Sequence, residues 1–134
     1  MINLLVDTNI FVYSVEKTLY FTSKLQRFFP IQSIIYILLQ NALSEFVAVC
    51  TKLEISYSKI MGYLKEIEEN VVILFPDEDS FSIFKTLIEK YKPKRNRIFD
   101  VEHVSVAVAN KINCIATFNT KDFSSIGEIR LLNF

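Results

Sequence analysis

Acidic residues stand at matching points of successive strand–helix units in this 134-residue chain. Asp7 directly follows the apolar run Ile2 to Val6. Glu45 lies early in the helix expected after a second apolar run, and Asp100 lies in the first turn of the helix before the fourth strand. Asn119 and Asp122 follow that fourth strand. In an open parallel sheet, sites gather outside the carboxyl ends of the strands. Carboxylates that converge there repel one another unless a cation sits among them. Oxygen donors without His or Cys select Mg²⁺ or Mn²⁺ rather than zinc. The single histidine, His103, and the absence of Cys-x-x-Cys leave no zinc signature. A carboxylate site for a hard cation suits phosphodiester hydrolysis, because the ion polarises the phosphate and lowers the pKa of water.

A basic run, Lys92-Pro93-Lys94-Arg95-Asn96-Arg97, comes just before Asp100. Lys94, Arg95 and Arg97 are suited to holding a phosphate backbone there. His103, three residues after Asp100, can share its helix face and touch substrate, although hydrolysis of this kind needs no histidine base. Glu102, two residues on, does not share that face and reads as surface. Singly, each residue has an ordinary alternative. Asp7 can cap a helix, Glu45 can be a plain surface glutamate, Asp100 can complement the helix dipole, and the basic run can be a solvated loop. Their joint placement carries the inference.

The elements that must position them follow from patterning. Ile2 to Val6 reads as a buried strand without alternation, as in a parallel sheet covered on both faces. Thr8 or Asn9 can cap a helix through Ile10, Phe11, Tyr13 and Ser14, and a second helical pattern covers Thr22 to Phe29 before Pro30. Ile34 to Leu38 is a second strand, and Asn41 to Lys52 a helix with a broad apolar stripe. Ser56 to Asn70 is an amphipathic helix with Ser56 as cap. Val71 to Leu74 is a strand. Asp77 to Tyr91 is a helix with Phe81, Phe84, Leu87 and Ile88 inward. Ile98 to Lys111 is a helix, Ile115 to Thr117 a strand, Lys121 to Ser125 a helical stub and Ile129 to Leu132 a last strand. The order predicts a three-layer α/β/α sandwich with a mainly parallel central sheet, as a single domain over 1–134.

Composition removes other classes. The chain is 51% hydrophobic with 2 Gly and 3 Pro, which excludes disorder and collagen-like sequence. Fifteen basic and fifteen acidic residues cancel, so no general basic coat exists to bind nucleic acid. Gly62 and Gly127 are the only glycines, so glycine-rich nucleotide loops are absent. Asp7-Thr8-Asn9 also lacks the Asp-x-Asp of a phosphoacceptor pair. Cys50 and Cys114 read as buried thiols in a reducing compartment, with one disulfide as the alternative. No signal peptide and no membrane span is expected, since a span needs about 20 apolar residues. A soluble, cytoplasmic protein is the expectation, with no membrane partner. Surplus aromatic content, including Tyr13, Tyr20, Phe21, Phe28 and Phe29, points to ordinary core or to an interface.

Four segments in order resemble the PIN-domain family of metal-dependent ribonucleases, most closely its small prokaryotic VapC-toxin-like members. They are Leu5-Val6-Asp7-Thr8-Asn9-Ile10, Gln40-Asn41-Ala42-Leu43-Ser44-Glu45-Phe46, Asp100-Val101-Glu102-His103-Val104-Ser105-Val106-Ala107, and Ile115-Ala116-Thr117-Phe118-Asn119-Thr120-Lys121-Asp122-Phe123. The resemblance implies that Asp7, Glu45 and Asp100 are ligands of Mg²⁺ (or Mn²⁺), and that Asn119 and Asp122 belong to the catalytic set. Many members carry Asp where this chain has Asn119. An asparagine still offers a carbonyl oxygen, and Asp122 can supply charge through water. This departure bears on a second ion rather than a first. Thr8 and Asn9 are implied to organise Asp7 or touch the substrate, with a plain helix cap as the alternative. RNA as substrate, a homodimer and a cognate antitoxin over the acidic groove are likewise implied. The alternative is a catalytically weak PIN-like RNA- or partner-binding module, which Asn119 mildly favours and the three retained acids oppose.

Overall fold

The apolar runs conceal a period of two. Leu4 and Val6 pack on one side of the sheet with Leu38, Cys114 and Ala116, while Leu5 packs on the other with Ile37, Leu39 and Ile115. Both faces are therefore buried, which is why the runs are apolar at nearly every position, the exposed Asn3 excepted. The computed structural model describes residues 2–7, 10, 34–117 and 119–132. The expected helices over residues 10–14 and 22–29, the residues Thr8 and Asn9, and the aromatic cluster of Tyr13, Tyr20, Phe21, Phe28 and Phe29 lie outside the described residues.

The strands are β1 (Ile2–Val6), β2 (Ile34–Leu39), β3 (Val72–Leu74), β4 (Cys114–Ala116) and β5 (Arg130–Leu132). They form a sheet in the order β3-β2-β1-β4-β5, and every pair is parallel. The helices are α1 (Gln40–Lys52), α2 (Tyr57–Asn70), α3 (Glu78–Tyr91), α4 (Arg97–Ala109) and the short α5 (Thr120–Phe123). Helices α1 and α2 cover one face, with Phe46, Cys50, Ile60 and Ile67 against the sheet. Helices α3 and α4 cover the other, through Leu87, Val101, Val104 and Ala107. The result is the three-layer α/β/α sandwich. Cys50 and Cys114 are buried free thiols. Among the described residues, no helix is long and apolar enough to cross a membrane.

Local chemistry sets the helix ends. The Ser56 hydroxyl accepts from the Lys59 amide at 3.3 Å and caps α2. Asp77 and Ser80 form a reciprocal capping box that starts α3. That geometry buries Ser80 and carries the inward stripe through Phe84, Leu87 and Tyr91. Phe81, expected inward, is 58% exposed instead, because it follows Ser80 by one helical step and leaves the stripe. Helix α4 begins at Arg97 and ends at Ala109, two residues before the expected Lys111. Lys111 has a positive φ of 58°, which breaks the helix.

The order β3-β2-β1-β4-β5 places a switch point between β1 and β4. The chain proceeds outward from β1 through β2 to β3, then resumes at β4 on the other side of β1. In open α/β sheets the crevice outside the carboxyl ends of the strands flanking such a switch point is where ligands bind.

Candidate active site

Register decides what meets in that crevice. Val6 pairs with Ala116, so Asp7 and Thr117 leave the sheet side by side. The Asp7 amide donates to the Ala116 carbonyl at 3.0 Å, extending the ladder by one bond. The Thr117 hydroxyl donates to Asp7 Oδ2 at 2.8 Å. Both residues are buried, Asp7 at 9% exposure and Thr117 at 1%. A bond to a charged group in such surroundings contributes about 1.5–3 kcal/mol. The same Thr117 oxygen accepts from the Asn119 amide at 2.9 Å. One hydroxyl thus joins the end of β1 to the turn after β4.

Asn119 and Asp122 form the next link. The Asn119 side-chain amide donates to Asp122 Oδ2, and the Asp122 amide donates to the Asn119 carbonyl at 3.3 Å. Arg97 at the start of α4 reaches the other oxygen, with Nη2 3.7 Å from Asp122 Oδ1. Asp100 sits one turn further along α4, half-buried. Burial pushes its carboxyl up to about 6, and the negative charges of Asp122, Asp7 and Glu45 push the same way while Arg97 opposes them. Carboxylates from the end of β1, from α1 and from α5 therefore act on Asp100 of α4. Glu45 is exposed on α1.

The donor set is oxygen only, and its members repel. This chemistry fits a hard divalent cation, which would relieve that repulsion. Among the described residues, no group of three or more acidic, His or Cys side chains is drawn close enough to hold a metal ion. The carboxylates face one crevice without forming a preassembled ligand cluster.

The remaining predicted residues fall in different places. Lys94 and Arg95 are exposed on the turn between α3 and α4. Lys92 and Arg95 both take left-handed backbone, φ 48° and 57°, and so reverse the chain tightly before α4. His103 is buried in α4, and its Nε2 has no hydrogen-bond partner among the described residues. Glu102, expected at the surface, is half-buried and accepts from Asn41 Nδ2 at 3.1 Å. Thr117 and Asn41 were not singled out as site residues from the sequence. The signal for Thr117 was its place, since it follows β4 as Asp7 follows β1. Asn41 carries no such signal, because its partner Glu102 lies 61 residues away.

Comparison with known proteins agrees with this architecture. The PIN-domain profile matches residues 4–129. No curated protein matches the sequence. Among solved structures, VapBC2 from Rickettsia felis, bound to a DNA fragment from its promoter, is similar with a TM-score of 0.76 and 18% identity, covering 99% of each chain. VapBC-1 from nontypeable Haemophilus influenzae is similar with a TM-score of 0.76 and 16% identity, covering 98% of each. VapC20 from Mycobacterium tuberculosis, a toxin that cleaves the Sarcin-Ricin loop, is similar with a TM-score of 0.65 and 12% identity over 95% of this chain and 98% of that one. These likenesses concern the fold. The profile match spans the switch point and all its carboxylates, and the chain belongs to the PIN-domain family.

Proposed function

We propose that the chain is a divalent-metal-dependent endoribonuclease that hydrolyses RNA phosphodiester bonds as the toxin of a toxin–antitoxin pair. The observation that carries this reading is the placement of Asp7, Asn119 and Asp122 at the β1–β4 switch point, joined through Thr117, with Asp100 close enough to feel the charges of Asp122, Asp7 and Glu45. In this reading Asp7, Glu45 and Asp100 hold Mg²⁺ (or Mn²⁺). The bound ion supplies Lewis acidity at the phosphate and an acidified water. Thr117 holds the Asp7 carboxylate in one orientation. Asn119 and Asp122 present a carbonyl and a carboxylate oxygen at the opposite wall, with Arg97 beside them. Lys94 and Arg95 attract the phosphate backbone, and Thr8 and Asn9 belong to the substrate-contacting set, whereas His103, expected to touch substrate, is buried in α4 and does not reach it. The VapBC structures to which the fold is similar support an antitoxin partner.

A second reading, a catalytically weak module that binds RNA or a partner, is favoured by Asn119 and by the open spacing of the carboxylates among the described residues. Thermal unfolding with Mn²⁺ separates the two. A ligand that binds only the native state stabilises it, by about 2.7 kcal/mol at a hundredfold excess over Kd. The nuclease reading expects a rise in Tm that Asp7→Asn abolishes. An unchanged Tm at millimolar Mn²⁺ favours the second reading.

A further inference from the structure

A cavity of about 240 Å³ lies between the first half of α3 and the middle of α4. Pro76, Phe81 and Phe84 give it apolar and aromatic walls, and Glu102 and Asp77 give it carboxylates, that of Asp77 already accepting from the Ser80 amide at 2.8 Å. Glu102 is held at one oxygen by Asn41 Nδ2 at 3.1 Å, and it has no cationic partner among the described residues. A half-buried carboxylate without a cation favours a ligand that donates N–H groups. Lys85 Nζ stands 5.1 Å from the centre of the Phe81 ring and is not part of the lining. The pocket therefore combines carboxylate acceptors with aromatic walls.

We propose that this pocket binds a guanine base of single-stranded RNA, with Glu102 accepting from its Watson–Crick edge and Phe81 stacking on the ring. Guanine is the base whose N1–H and 2-amino group stand side by side as donors. Adenine, cytosine and uracil each place an acceptor next to a donor on that edge. Single-stranded RNA is read in this manner, by aromatic stacking and by bonds to the Watson–Crick edge. The location suits a base flanking a scissile bond. Glu102 leaves a different face of α4 from Asp100, two residues before it, but its partner Asn41 lies one turn from Glu45 on α1. The inference deepens the ribonuclease reading and takes its choice of an RNA ligand from it.

The test uses free nucleosides, so that neither metal binding nor cleavage enters. Amide NMR spectra of the whole chain are titrated with guanosine, inosine, which lacks the 2-amino group, and adenosine. Guanosine is expected to shift the amides of Ser80, Phe81 and Ser105 and to bind about tenfold more tightly than the other two. Glu102→Gln, which keeps an oxygen for Asn41 but loses the paired acceptor, is expected to abolish that preference. Phe81→Ala, at an exposed position that leaves the fold intact, is expected to weaken all three nucleosides. The proposal is overturned by equal binding of the three nucleosides, by no response at their solubility limits, or by a preference that survives Glu102→Gln. Stronger binding of a blocked arginine amide than of guanosine also overturns it and assigns the pocket to a protein partner. A metal-inert protein that still prefers guanosine would count against the nuclease reading alone.

Discussion

Thr117 carries two hydrogen bonds on one oxygen, donating to Asp7 and accepting from Asn119. Thr117→Val keeps the shape and loses both. Losing these two buried hydrogen bonds costs about 1–3 kcal/mol, read as a lower urea midpoint. Freed from its tether, Asp7 is also expected to bind Mn²⁺ more weakly, whereas a purely structural hydroxyl would change the midpoint alone. Asp100 gives a pH prediction. Its unfolded value is the ordinary 3.8 and its folded value about 6. Between those values the folded protein holds more protons than the unfolded one, so stability without metal falls as pH rises through that window. Denaturant titrations from about pH 4 to 6 are expected to show this fall in the wild type and a flatter curve in Asp100→Asn. A steeper fall in the variant would contradict the assigned cause. Metal competes with that proton, so Mn²⁺ affinity is expected to rise with pH across the same interval.

At the scale of elements, the capping box of α3 and the apolar stripe behind it make separable contributions. Asp77→Ala removes the acceptor for the Ser80 amide and is expected to cost about 1 kcal/mol. Phe81→Ala, one residue further, is expected to change stability by less than about 0.5 kcal/mol, since the ring is largely in solvent. Equal midpoints for Asp77→Ala and wild type would show that the box is dispensable. These helices also show what sequence makes legible. Periodicity located every described helix within a few residues, because burial and caps are local. Phe81 was misplaced because a run of Phe81, Ile83 and Phe84 offers several stripes, and only the packed neighbour selects one. The shift of β4 from Ile115–Thr117 to Cys114–Ala116 has the same origin. A short buried run has no internal mark of register, and it is the pairing with β1 that sets its ends.

For the whole molecule, strand order does what no single motif does. With β1 central and β4 beside it, Asp7, Asp100 and Asp122 share a crevice although they lie up to 115 residues apart in sequence. Matching positions in successive α/β units made that convergence legible beforehand, whereas the Asn41–Glu102 contact and the pocket behind it depend on how α1 and α4 pack. The most direct measurement is cleavage of a labelled structured-RNA panel with Mg²⁺ or Mn²⁺ and with EDTA, comparing wild type with Asp7→Asn and Asp100→Asn. The account predicts metal-dependent cutting by the wild type, lost in EDTA and in both variants. RNA left intact by the wild type in either metal, or cutting that persists in both variants, would contradict it.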